Sequence, residues 1–123
     1  MNQKAKVLIV DDEPNNVDFL EQALEDSGYQ LITATNGQEA LNKIQSEQPD
    51  LILLDLNMPI MDGFTVLAKV KEDPNLRDIP VIIISSEHES KSVVKGIKQG
   101  AEDYLTKPVN AELLVKKVKD FLG

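Results

Sequence analysis

Three runs of consecutive apolar residues punctuate the chain: Val7 to Val10, Leu51 to Leu54 and Val81 to Ile84. Each is too short for a helix that must bury itself, and each has the length of a strand covered on both faces, as in the middle of a parallel sheet. Gln30 to Ala34 and Asp103 to Thr106 mix polar with apolar residues and predict edge strands. Between these stretches apolar residues recur at helical spacing. The predicted inward stripes are Val17, Leu20 and Leu24 with Phe19 and Ala23 beside them, then Ala40, Leu41 and Ile44, then Phe64, Leu67 and Val70 or Lys71. A thin stripe, Val93, Val94 and Ile97, and a last one, Leu114, Val118 and Phe121, complete the set, with Lys116, Lys117 and Lys119 left to solvent.

The punctuation agrees with this division. Pro14 suits a first helical turn, where no hydrogen bond is lost, and Gly28 suits the residue after a helix. Asn36 followed by Glu39 has the form of a capping box, and Pro49 and Pro74 end the second and third helices. The fourth helix is predicted from about Ser90 to Gln99 with Gly100 as its stop, and Asn110 caps the fifth.

Strand and helix therefore alternate throughout, the signature of βαβ crossovers. Placing the fully apolar strands inside and the mixed ones at the edges gives the order 2-1-3-4-5, with helices on both faces through right-handed connections. The expectation is a flavodoxin-like, doubly wound α/β fold of five parallel strands and five helices, one domain over residues 1–123.

In that order the first and third strands are neighbours from which the chain departs in opposite senses, so their carboxyl ends frame a crevice. Both apolar runs end on acids there: Asp11, Asp12 and Glu13 after the first, Asp55 after the third. Helix N-termini favour negative charge, which accounts for the first pair alone. Three carboxylates together repel one another, and a cation relieves the repulsion. Oxygen donors, the absence of cysteine and a single histidine favour Mg2+ over Zn2+. The stretch DLNMPIMDG is not an EF-hand loop, since Pro59 and Ile60 stand where an acid and a glycine are required. The fourth and fifth strands bring Ser85 and Lys107 to the same edge. Carboxylates for a cation, a lysine and a hydroxyl for an oxyanion, and a carboxylate as nucleophile together make a phosphoryl-transfer site.

Charge and composition narrow the function further. The net charge is −8, and it is uneven: residues 1–62 carry 3 basic and 12 acidic side chains, whereas residues 63–123 carry 10 and 9. An acidic chain without a basic stripe does not suit nucleic acid. No apolar run approaches the roughly 20 residues of a membrane span, and the opening MNQKAK lacks the apolar core of a signal peptide, so a cytoplasmic protein is expected. His88 reads as a solvated loop residue, and Met58 and Met61 as loop packing.

Four motifs in order, VDDE at Val10 to Glu13, DLNMPIMDG at Asp55 to Gly63, Ser85, and GAEDYLTKP at Gly100 to Pro108, resemble the bacterial response-regulator receiver domain. The resemblance runs from about Lys6 to Leu122 and is similar to the stand-alone chemotaxis regulator. It implies a phosphorelay switch rather than a conventional enzyme: Asp55 takes a phosphoryl group from a histidine kinase or histidine phosphotransfer protein and the domain catalyses its own phosphorylation and dephosphorylation. It also implies Mg2+ on Asp12 directly, on Asp11 mostly through water, and on Asp55 and the Asn57 carbonyl. Lys107 would pair with the phosphoryl group, Ser85 would move to hydrogen-bond it, and Tyr104 would turn inward after Ser85. The family usually has a cis bond before the proline at Lys107-Pro108, and more often Thr than Ser at position 85. The effector face implied is that of the fourth helix, fifth strand and fifth helix, with Lys91, Lys95, Lys98, Lys116 and Lys119. Asn57 and Glu87 flank the approach of a hydrolytic water and predict a short-lived phosphoryl group.

Rival readings fare less well on the residues. A small aspartyl-phosphate phosphatase would want a carboxylate two residues after its nucleophile, where this chain has Asn57. A flavin or nucleotide module would want a glycine- or hydroxyl-rich phosphate loop in place of DDEPNN. A phosphorylation-independent interaction module would not need the acidic pair, Asp55, Ser85 and Lys107 together. With no further domain read after Gly123, the chain is expected to be either a stand-alone regulator or a receiver from a longer protein.

Overall fold

A computed structural model of the protein describes residues 4–56, 62–86 and 90–123. The strands are β1 (Lys6–Val10), β2 (Gln30–Ala34), β3 (Leu51–Asp55), β4 (Val81–Ser86) and β5 (Asp103–Lys107). The α-helices are α1 (Pro14–Leu24), α2 (Gly37–Glu47), α3 (Gly63–Glu72), α4 (Ser90–Lys98) and α5 (Ala111–Leu122), and a 3-10 turn, Glu25–Ser27, follows α1. All strand pairs are parallel and the sheet order is β2-β1-β3-β4-β5, as the distribution of apolar runs predicts.

Alternation along the strands divides the core into two layers. Val7, Ile9, Leu51, Leu53, Ile82, Ile84 and Leu105 pack with Val17, Leu20 and Leu24 of α1 and Leu114 and Val118 of α5. Leu8, Val10, Ile52, Leu54 and Ile83 pack on the other face with Ala40, Leu41 and Ile44 of α2 and Val66, Leu67 and Val70 of α3. Every residue of β3 is buried, which explains its unbroken apolar run, whereas β2 and β5 keep exposed positions at the edges.

Local signals act where the sequence puts them. Asn36 accepts a hydrogen bond from the Glu39 backbone N–H at 2.8 Å, and Asn110 from that of Leu113 at 3.0 Å. Glu39 reaches back one residue further than a capping box requires, to the Thr35 N–H. Gly28 takes the left-handed conformation, φ 82°, that stops the chain after the 3-10 turn.

Five side-chain placements differ from expectation. Phe19 is largely exposed because it lies about 100° around α1 from Leu20, outside the stripe of Val17, Leu20 and Leu24. Phe121 is also partly exposed, bordering a surface hollow with Ala5, Asp50 and Pro80. On α4, Val94 and Ile97 face outward while Val93 and Gly96 face the sheet. Gly96 sets this rotation: a Cβ there would lie 2.1 Å from the Ile83 Cδ1 atom, so the helix rests on β4 at its bare position. Lys117, expected in solvent, is half-buried and pairs with Asp103 at 2.8 Å.

Candidate functional site

The site lies at the carboxyl ends of β1, β3, β4 and β5, and strand register assembles it. Val10 is opposite Leu54 and Asp55 opposite Ile84, so the residues that follow β1 and end β3 reach the sheet edge together. Asp11, Asp55 and Lys107 continue the alternation of Ile9, Leu53 and Leu105 on the α1 and α5 side, whereas Ser85 continues that of Ile83 on the other.

Asp11, Asp12 and Asp55 each place a carboxylate oxygen within 4.8 Å of the others. Asp11 and Asp55 are buried and Asp12 is half-buried. The two Asp11 oxygens do different work. Oδ1 accepts a hydrogen bond from the Glu13 N–H at 2.9 Å and shapes the loop into α1, while Oδ2 is buried with no hydrogen bond among the described residues. Lys107 Nζ stands 3.6 Å from Asp11 Oδ2 and 3.6 Å from Asp55 Oδ2, bridging the two strand ends. Among the described residues, Lys107 is the ammonium paired with this carboxylate cluster. Ser85 Oγ is buried and has no hydrogen-bond partner among the described residues, and the bond from Lys107 to Pro108 is cis.

Gly63, at the start of α3 and part of the DLNMPIMDG motif, sits close against the backbone at the end of β3. A Cβ there would stand 2.4 Å from the Asp55 carbonyl oxygen and 2.7 Å from the Leu56 Cα, and the Gly63 N–H donates to the Leu56 carbonyl at 3.0 Å. Asn16, Phe19, Leu20, Ile84, Pro108 and Val109 line a 220 Å³ cavity that also touches Asp11 and Lys107. Nothing in the helical periodicity marks that cavity, because Phe19 reads as part of a core stripe. Asn57, Met58, Met61, Glu87 and His88 lie outside the described residues.

The arrangement matches a known family over nearly its whole length. The model of the response regulator receiver domain matches residues 7–119. The chain is a receiver domain of the response-regulator family. It is 39% identical over 119 residues to protein PilH of Pseudomonas aeruginosa, covering 97% of this chain and 98% of PilH. It is 43% identical over 115 residues to the response regulator PleD of Caulobacter vibrioides, covering 94% of this chain but 25% of PleD. Similarity to PhoP of Bacillus subtilis likewise covers 48% of that protein, so the chain spans from a quarter to about half of these larger relatives. In three dimensions the receiver domain is similar to the chemotaxis response regulator CheY4 of Vibrio cholerae, with a TM-score of 0.89, 34% identity and coverage of 97% and 99%. A response regulator of Chloroflexus aurantiacus gives a TM-score of 0.93 at 32% identity, covering 98% of each chain.

Tyr104 is half exposed on β5 and, with Ser86, Val93, Val94, Ile97 and Thr106, lines a groove between α4 and the sheet edge. Lys91, Lys95 and Lys98 on α4 and Lys116 and Lys119 on α5 are exposed. No described helix is long and apolar enough to cross a membrane.

Proposed function

We propose that this receiver domain takes a phosphoryl group on Asp55 from a histidine kinase or histidine phosphotransfer protein in the cytoplasm, in a reaction that needs Mg2+. The observation that carries this reading is the buried Asp55 carboxylate, held within 4.8 Å of two further carboxylates and 3.6 Å from Lys107. In the transfer, an Asp55 carboxylate oxygen attacks phosphorus as the phosphorus–nitrogen bond to the donor imidazole breaks, and the imidazole keeps the electron pair. Lys107 is placed to hold a phosphoryl oxygen once that group arrives, and its tether to Asp11 keeps it beside the reacting carboxylate. Ser85 brings to the same edge a hydroxyl without a partner among the described residues, able to donate to a second oxygen.

The donor set fits a hard divalent cation: clustered carboxylate oxygens, with Asp11 Oδ2 buried and not hydrogen-bonded among the described residues. Asp11, Asp12, Asp55 and the carbonyl of Asn57 are the residues we assign to Mg2+. Bound there, the ion supplies positive charge to oxygens that a cluster of carboxylates otherwise repels. The output follows from the face of α4, β5 and α5, where we place effector binding, and Ser85 and Tyr104 are the switch pair.

Uptake of phosphoryl from a small acyl phosphate tests this reading. One group per chain is expected with Mg2+, and almost none in EDTA or in Lys107→Ala. Equal uptake with and without metal would overturn the Mg2+ assignment.

A further inference from the structure

α4 rests on the sheet through few side chains. It buries Val93 and Gly96 and turns Val94 and Ile97 to the outside. Among the described residues its side chains make no ion pair, and the charged contact it does make is with α3: Lys95 Nζ stands 4.3 Å from the centre of the Phe64 ring. An ammonium over a ring face is attracted by the ring quadrupole, and at a partly exposed site the attraction is modest but directional.

The position of Phe64 gives that contact its significance. Phe64 directly follows Gly63, which is pressed against the Asp55 carbonyl and hydrogen-bonded to Leu56. It also packs against the core layer that contains Leu54, Leu56 and Ile83. The ring is therefore held by the backbone at the end of β3, and Lys95 ties α4 to it. The bare face of Gly96 lets α4 lie on Ile83 without side-chain interlocking, so the Lys95–Phe64 contact governs sliding and tilting more than it would on a densely packed helix.

We propose that Lys95 and Phe64 form a latch that holds α4 in the position seen here and couples it to the backbone of the β3 end. The latch is a second route from the site to the α4 surface, separate from Ser85 and Tyr104. It rests on the contacts of the unphosphorylated chain, so its test does not depend on the proposed phosphorylation of Asp55.

Amide hydrogen exchange of residues 93–98 in the full chain reads the latch directly. Lys95→Ala and Phe64→Leu should each raise exchange there by about two- to fivefold, the range expected for losing an exposed cation–ring contact. Exchange in α5 should stay unchanged, Lys95→Arg should keep protection, and Lys91→Ala should behave as the parent. The double variant should exchange no faster than the faster single variant, because both substitutions break one interaction. Unchanged exchange in Lys95→Ala, or independent effects that multiply in the double variant, would overturn the proposal. If Phe64→Leu loosens α3 as well, the Lys95→Ala and Lys95→Arg comparison still decides.

Discussion

At the scale of single residues, the site is a balance of like charges in which each carboxylate is placed differently. Asp11 has Lys107 3.6 Å away and spends its other oxygen on the Glu13 N–H, whereas Asp12 makes no ion pair among the described residues. Asp12→Asn should therefore stabilise the metal-free protein by about 1 kcal/mol through relief of repulsion, and Asp11→Asn by less. Urea midpoints in EDTA measure both, and a fall in the Asp12→Asn midpoint would show that the carboxylates do not strain the fold. Mg2+ should raise the parent midpoint by mass action and lose much of that effect in either variant. These residues were legible in the sequence because a charge that ends an apolar run has few structural explanations. Phe19 was not, since an aromatic residue one position from a core stripe looks the same whether it packs inward or borders a cavity.

At the scale of elements, two glycines decide how helices meet the sheet. Gly63→Ala places a Cβ against backbone atoms that have no room to yield, whereas Gly96→Ala meets the far end of the Ile83 side chain. The first should cost about 1–3 kcal/mol and the second less, as read from denaturant midpoints, and equal losses would contradict this account of the two contacts. A third tie lies at the opposite end of the sheet. Lys71 Nζ donates to the carbonyls of Arg77 and Ile79 at 3.0 and 2.8 Å and pairs with Glu102 at 2.9 Å, while Glu102 also accepts from the Val81 N–H. Lys71→Met should lower stability by about 1–3 kcal/mol, because it leaves a half-buried carboxylate and two carbonyls short of a donor. A loss under a few tenths of a kcal/mol would mean that water replaces the ammonium. Helix positions and caps were readable from periodicity and from Asn36 and Asn110. The rotation of α4 was only partly readable: apolar periodicity puts Val93, Val94 and Ile97 on one inward stripe, of which Val93 alone is buried, and a glycine carries no hydropathy signal of close contact.

At the scale of the whole molecule, the apolar runs predict the strand order that the sheet adopts, since four apolar residues in succession suit an inner strand. That order brings residues 11, 55, 85 and 107 to one edge, so the candidate site followed from topology rather than from proximity in the chain. The uneven charge has a counterpart here: residues 7–42 contain no lysine or arginine, while α4 and α5 carry the exposed lysines. On the proposed function, a phosphoryl group on Asp55 would add negative charge beside Lys107, and the switch would be the redistribution of contacts that this charge imposes. The most direct test is to identify the residue that becomes the acyl phosphate. Protein treated with an acyl phosphate and Mg2+ is reduced with borohydride, which converts an aspartyl phosphate to homoserine, and its peptides are sequenced by mass spectrometry. Homoserine at position 55 alone, and none in Asp55→Asn, is the predicted result; homoserine at position 11 or 12, or undiminished phosphorylation of Asp55→Asn, would contradict it.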